Sequence, residues 1–247
     1  MTKTILITGA SRGIGRSSAI LAGQRGWSVG VNYVGNKAAA DEVVETIIAA
    51  GGKAKAIQGD VAVETDVISM FEQTAELGTL DGVVVNAGIV APGSRLMDMD
   101  IDRMRRIFDV NVLGAYVCAR EGVRHLARSR GGNGGSIVLL SSAAARLGGP
   151  GEYVDYAGSK GAMDTLTIGL SKEVGAEGIR VNAVRPGLIE TDIHASGGQP
   201  DRAQRLGVTA PLGRAGTADE VGQSIVWLLS DESSYVTGAI LDVTGGR

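Results

Sequence analysis

Apolar residues in this chain gather in short unbroken runs, each followed by a stretch in which they recur every three or four residues. The runs are TILIT (4–8), SVGVNY (28–33), KAKAIQ (53–58), DGVVVN (81–86), GSIVLLS (135–141), IRVNAVRP (179–186) and AILDV (239–243). Helical patterns lie near 14–25, 36–50, 64–77 and 98–129, across YAGSK and the GAMDTLTIGLSKEV after it, and near 217–230. Uninterrupted Val, Ile and Leu suit strands buried on both faces. The alternation predicts an α/β fold, a doubly wound, Rossmann-type parallel sheet of about seven strands with helices on both faces. No repeat and no linker-like break interrupts it, so 1–247 reads as one domain. GGNGG (131–135) and ASGGQP (195–200) read as loops within it.

Composition narrows the possible roles. A net charge of −3 and the lack of any Lys/Arg tract argue against nucleic acid or an anionic membrane as partner. A single cysteine, Cys118, excludes an internal disulfide and fits a reducing compartment, and its neighbours suggest a packed helix face. The first residues lead directly into a strand pattern without a signal-peptide profile, and no segment approaches ~20 uninterrupted apolar residues. A soluble, cytoplasmic protein is expected. No His/Cys/carboxylate group has metal-ligand spacing, so no metal is expected. The 38 glycines are dispersed, which suits tight turns better than disorder.

Two short stretches carry candidate chemistry. TGASRGIG (8–15) sits where the first strand meets the first helix. Gly9, Gly13 and Gly15 permit a sharp turn and a close approach to a ligand. The helix behind them offers free N–H groups and the positive end of its dipole to a pyrophosphate. The spacing is G-x-x-x-G-x-G, not G-x-G-x-x-G, and a tight turn needs glycine for geometry alone. Its place after the first strand of the series is what favours a nucleotide. In YAGSK (156–160), Tyr156 and Lys160 stand one helical turn apart and share a face. They could be a simple surface pair, or the ammonium could make the phenol an easier acid.

With these motifs the chain resembles the short-chain dehydrogenase/reductase family over essentially its whole length. The family's signatures follow in order: TGASRGIG, Asp60-Val61 after the third strand, NAG (86–88) after the fourth, and Asn111 in the long helix. SS (141–142), YAGSK and RPGLIET (185–191) complete the series. The resemblance implies an NAD(P)-dependent oxidoreductase that interconverts a carbonyl and a secondary alcohol by hydride transfer. Tyr156 would be its general acid and base. Lys160 would lower the phenol's pKa and hydrogen-bond the nicotinamide ribose, and Ser142 would polarise the carbonyl oxygen. Asn111 would hold a water in a proton relay, although taken alone it could be an amide satisfying nearby backbone. Ser141 competes with Ser142, because neighbours in a strand face opposite ways; Ser142 is preferred. A free phenol, with pKa near 10, is ionised in only about one molecule in a thousand at neutral pH. A nearby ammonium and an oxidised nicotinamide both favour its phenolate.

The cofactor contacts implied are Gly9, Ser11, Arg12, Gly13, Ile14 and Gly15 in the turn, and Asn32 at the end of the second strand. Asp60 and Val61 would meet the adenine, and Asn86, Ala87 and Gly88 would line its ribose, with a structural role for Asn86 equally open. Pro186, Gly187, Ile189 and Thr191 would cover the nicotinamide beside Tyr156 and Lys160. NAD sites place an acid at the end of the second strand, and NADP sites avoid one. Here Asn32 stands where that acid is expected, and Arg12 could grip a phosphate bidentately. NADP(H) is therefore expected over NAD(H), with a merely solvated Arg12 as the alternative.

Residues 191–213 are expected to form a substrate lid beyond the carboxyl ends of the strands, with His194 an exposed bystander. Arg146, Glu152 and Tyr153 could line the pocket. A small-molecule carbonyl or alcohol is the expected substrate, with specificity like that of 3-oxoacyl-carrier-protein reductases or glucose dehydrogenases as options. The family also implies a homo-oligomer, usually a tetramer, with the long helices near 98–129 and 156–176 packing in its interfaces. A non-catalytic redox sensor is the reading from another class, and it would not need the serine, tyrosine and lysine together.

Overall fold

The computed structural model of the protein describes residues 2–247. Its first half runs β1 (Thr4–Ile7), α1 (Gly13–Gln24), β2 (Ser28–Tyr33), α2 (Lys37–Ala49), β3 (Lys53–Gln58), α3 (Glu64–Ala75) and β4 (Leu80–Val85). Next come α4 (Ile101–Phe108), α5 (Ala115–Leu126), β5 (Gly135–Leu140), the short α6 (Ala144–Leu147) and α7 (Val154–Glu173). The chain continues through β6 (Ile179–Pro186), β7 (Ile189–Glu190), α8 (Ile193–Ser196) and α9 (Arg202–Gly207). It closes with β8 (Gly216–Thr217), α10 (Ala218–Leu229) and β9 (Ile240–Val243). The seven long strands form one parallel sheet in the order β3-β2-β1-β4-β5-β6-β9, the doubly wound arrangement.

Alternation along the strands builds two cores. On β1, Ile5 and Ile7 join Val29 and Val31 of β2 beneath α1, α2 and α10. Leu6 points the other way, with Val83, Ile137 and Val181, onto Phe71 of α3, Cys118 of α5 and Met163 of α7. Burial pushes the Cys118 thiol up to about 12, so it behaves as a packed apolar group. The helices start where local chemistry directs. Asn36 caps α2 through Ala39 N, and Thr217 with Glu220 forms a reciprocal capping box on α10.

Two features depart from the pattern read in the sequence. The region expected as one helix over 98–129 is divided by a π-helical turn at Asp109–Gly114, between α4 and α5. The segment after β6 adds a two-residue parallel pair, β7 with β8, too short to show any periodicity. No helix among the described residues is long and apolar enough to cross a membrane.

Candidate active site

The chain winds outward from β1 through β2 to β3, then returns to β4 on the other side of β1, so a crevice opens at the carboxyl ends of β1 and β4. The turn from β1 into α1 forms its floor. Gly9 and Gly13 take φ of +62° and +54°, where a side chain is strained. A Cβ on Gly15 would stand 2.5 Å from the Gly9 carbonyl oxygen. Arg12 precedes α1 in extended backbone and does not cap it, so the first-turn N–H groups keep their donors free. That donor set, with the dipole behind it, fits a pyrophosphate.

Buried polar side chains fasten this turn to the sheet. Thr8 Oγ1 accepts the N–H groups of Asn86 and Ala87, both at 2.9 Å. Asn86 Nδ2 returns the bond, donating to the carbonyls of Thr8 at 2.8 Å and Gly9 at 3.0 Å. Of the two roles open for Asn86, the structural one is thus occupied. Asn32 requires a correction. It is 1% exposed, accepts Gly9 N–H at 2.9 Å and donates to the Gly59 carbonyl at 2.9 Å. Its amide holds the turn from behind instead of facing a ribose. Beyond it the chain reads Tyr33-Val34-Gly35-Asn36, with Val34 to Asn36 exposed and no acid among them. Arg12 is exposed beside the turn, and Lys37 is paired with Asp41 at 2.6 Å.

Asp60 is partly engaged already. Its Oδ1 accepts Ala62 N–H at 2.9 Å and its Oδ2 lies 3.3 Å from Arg106. Val61 is buried beside Gly114 of the π-helical turn. In that turn Asn111 is buried and fully used. Its Oδ1 accepts Ile89 N–H at 2.8 Å, and its Nδ2 donates to the Ile89 carbonyl and to Ser159 Oγ at 2.9 and 3.1 Å. The side chain clamps the segment following β4 to α7, the backbone-satisfying role it could be given from the sequence alone. Gly88 lies between this amide and Lys160, with positions for a Cβ 3.4 Å from each.

Ser142, Tyr156 and Lys160 converge in the crevice. α7 carries Tyr156 and Lys160 on one face, with Lys160 Nζ 5.7 Å from the centre of the phenol ring. The ammonium donates to the Leu140 carbonyl at 2.7 Å, at the end of β5. Ser142 lines the same cleft and is close enough to Tyr156 to favour its phenolate. Ser141 turns inward, donating to the Lys160 carbonyl at 3.1 Å, so Ser142 is the serine presented to Tyr156. Burial governs both titrations. It holds the Tyr156 phenol above its ordinary range, with the Ser142 hydroxyl opposing it. It also pushes Lys160 down to about 8, with Asp164 pulling it back up. Of the influences on the phenol, loss of hydration is the largest.

The cleft above these groups has a volume of about 450 Å³ and runs from Ile14, Asn86 and Gly88 to the segment after β6. Pro186, Gly187, Ile189 and Thr191 form one wall, and Thr191 stands opposite Gly13. His194, expected to be exposed, is half-buried on this wall, with Nε2 2.9 Å from the Ile189 carbonyl oxygen. Glu152 and Tyr153 meet Gln199 and Arg202 across the far end. Sequence reasoning missed Thr8 and Ser159 as support for the site, and missed Gln199 and Arg202 altogether. Thr8 could have been found as the polar residue closing the first strand; the other three carry no local signal.

A family model described as enoyl-(acyl carrier protein) reductase matches residues 9–247. An uncharacterized oxidoreductase of Escherichia coli K12 is 51% identical over 243 residues, covering 98% of each chain. Versicolorin reductase 1 of Dothistroma septosporum is 41% identical, with 99% of this chain and 95% of that protein aligned. A 3-oxoacyl-[acyl-carrier-protein] reductase of Staphylococcus aureus is 37% identical, covering 100% of this chain and 98% of its own. Among solved structures, a double mutant of a Serratia marcescens short-chain dehydrogenase/reductase superposes with a TM-score of 0.90 at 31% identity, over 99% of this chain and 97% of that one.

Proposed function

The chain belongs to the short-chain dehydrogenase/reductase family, and from that premise we propose an NADP(H)-preferring oxidoreductase that interconverts a carbonyl and a secondary alcohol. The observation that carries this reading is the convergence of Ser142, Tyr156 and Lys160 in one cleft above a phosphate-binding turn. A nicotinamide dinucleotide bound there would supply hydride in reduction and accept it in oxidation. The α1 turn would hold its pyrophosphate, and Asn86, Ala87 and Gly88 would border its ribose. Pro186, Gly187, Ile189 and Thr191 would border the nicotinamide end. Asp60 and Val61 would border the adenine.

Tyr156 Oη carries the proton. Raised by burial, the phenol is protonated at neutral pH, the form that donates to a developing alkoxide during reduction. Ser142 positions the substrate oxygen beside that hydroxyl. Lys160, still charged below about 8, stabilises the phenolate left behind and sits within reach of a ribose hydroxyl. Asn111 acts by holding Ile89 and Ser159 in place around them.

The preference for NADP(H) is supported by an exposed Arg12 and by the lack of an acid from 32 to 37. We read the chain as one domain in which 191–213 serves as the substrate lid. A cytoplasmic homotetramer belongs to the same reading, the assembly supported by apolar side chains exposed along α4, the π-helical turn, α5 and α7: Phe108, Leu113, Tyr116 and Ile168. The test is NADPH and NADH oxidation over a panel of carbonyl compounds, with Tyr156→Phe beside the native chain. Turnover should fall by about 10²–10⁴-fold while cofactor affinity stays within about twofold. Near-native turnover in Tyr156→Phe, a clear preference for NADH, or cofactor binding without turnover of any carbonyl would each overturn the corresponding part.

A further inference from the structure

Beyond Tyr156 the cleft extends to the segment 193–206, and its walls there are mainly Val90, Leu147, Ile193 and Leu206. A half-buried cation stands at that end. Arg202, its side chain 16% exposed, lies 2.7 Å from Glu152 and covers the Tyr153 ring at 5.0 Å. Gln199 closes the cluster. Its Nε2 donates to Glu152 at 3.2 Å and Tyr153 Oη at 2.9 Å, while its Oε1 accepts from Arg202 at 3.0 Å and Arg205 at 2.8 Å.

We propose that Glu152 masks Arg202, so that this end of the cleft takes a neutral, apolar group attached to the reacting carbonyl and rejects one bearing a distal carboxylate or phosphate. The inference rests on the oxidoreductase reading for the carbonyl and on the cleft's own walls for the distal group. An incoming anion on Arg202 would stand beside the Glu152 carboxylate, two like charges in a partly desolvated site. Arg202 holds the Glu152 carboxyl below its ordinary range, so the masking charge persists at neutral pH. His194, lowered by burial and by Arg202, adds no compensating positive charge. Arg247 also lines the cleft, and it lines a second cavity together with Arg146 and Leu212.

The test uses a matched pair, 4-phenylbutan-2-one and 4-(3-oxobutyl)benzoate, which differ only by a distal carboxylate. The native enzyme should favour the neutral ketone by about tenfold or more in kcat/KM, and Glu152→Gln should narrow that ratio by about tenfold. Adding Arg202→Gln to that variant removes the unmasked cation, leaves Arg247 in place, and should restore the neutral preference. Equal use of the pair by the native enzyme, an unchanged ratio in Glu152→Gln, or no restoration in the double variant would overturn the proposal. Calorimetric titration of both compounds into NADPH-loaded protein reads the same preference without turnover. Absence of turnover then counts against the oxidoreductase reading alone. Equal binding of the pair, or failure of the neutral compound to bind, counts against the masking.

Discussion

The two ends of the cleft are held by different kinds of bond. At the turn between β1 and α1, short side chains bond to backbone: Thr8 to the amides of Asn86 and Ala87, Asn86 to two carbonyls, Asn32 to Gly9 and Gly59. At the far end, long side chains bond to one another: Gln199 and Arg202 with Glu152 and Tyr153. Short amides have few rotamers, and those of Asn32 and Asn86 are already bonded to backbone, so the turn has one arrangement. Long side chains that stay partly exposed can exchange partners with water at little cost. A site for an invariant pyrophosphate suits the first construction, and a place where substrates enter and leave suits the second.

Substitutions can break that comparison. Gly15→Ala puts a Cβ 2.5 Å from the Gly9 carbonyl, with backbone on both sides of the clash. It should cost up to about 3 kcal/mol in urea unfolding and weaken cofactor binding by about tenfold or more. A cost near zero would mean that the turn yields, as the lid is expected to. Asn32→Ala strands Gly9 N–H and the Gly59 carbonyl, both otherwise paired through it, and should cost about 2 kcal/mol. If it weakened cofactor binding with no loss of stability, direct contact would replace the supporting role assigned here.

The pH response sharpens the chemistry between the two ends. Folded Lys160 loses its proton at about 8, against 10.5 for an ordinary lysine. The unfolded chain therefore binds more protons across that window, and Lys160 adds stability as pH rises through it, by at most about 1.4 kcal/mol per pH unit. Chemical unfolding of native protein and Lys160→Met, followed from pH 7 to 10, should show this slope only in the native chain. Reduction of a carbonyl should decline above about 8 as the charge is lost; a flat rate profile to pH 10 would remove Lys160 from the acid's support. The smallest effect belongs to the lid. Gln199→Ala should change stability by no more than about 0.5 kcal/mol, yet speed proteolytic cleavage within 193–207 severalfold. A cost equal to that of Asn32→Ala would erase the contrast between the two ends.

The sheet and its flanking helices were legible because strands buried on both faces appear as continuous Val/Ile/Leu runs, wherever the chain later carries them. The pairing of Tyr156 with Lys160 was legible for a similar reason, since four residues along a helix bring side chains to one face whatever the surroundings. The π-helical turn at Asp109–Gly114 was hidden, because its residues fit an ordinary helical pattern until Asn111 engages Ile89 and Ser159. The choice between Ser141 and Ser142 waited on where the backbone of Lys160 lies. Asn32 was placed correctly on its strand and wrongly in its surroundings.

What the chain's order of residues settled by itself was therefore local and periodic: strand runs, helix faces, the glycine turn and the spacing of phenol and ammonium. Tertiary structure alone decided which amides support and which face the cleft, how burial sets the Tyr156 and Lys160 titrations, and which charge neutralises Arg202. Periodicity acts over a few residues and survives in a string of letters. Hydrogen-bond partners 22 to 78 positions apart, and the water that folding removes from between them, exist only after the chain has closed on itself.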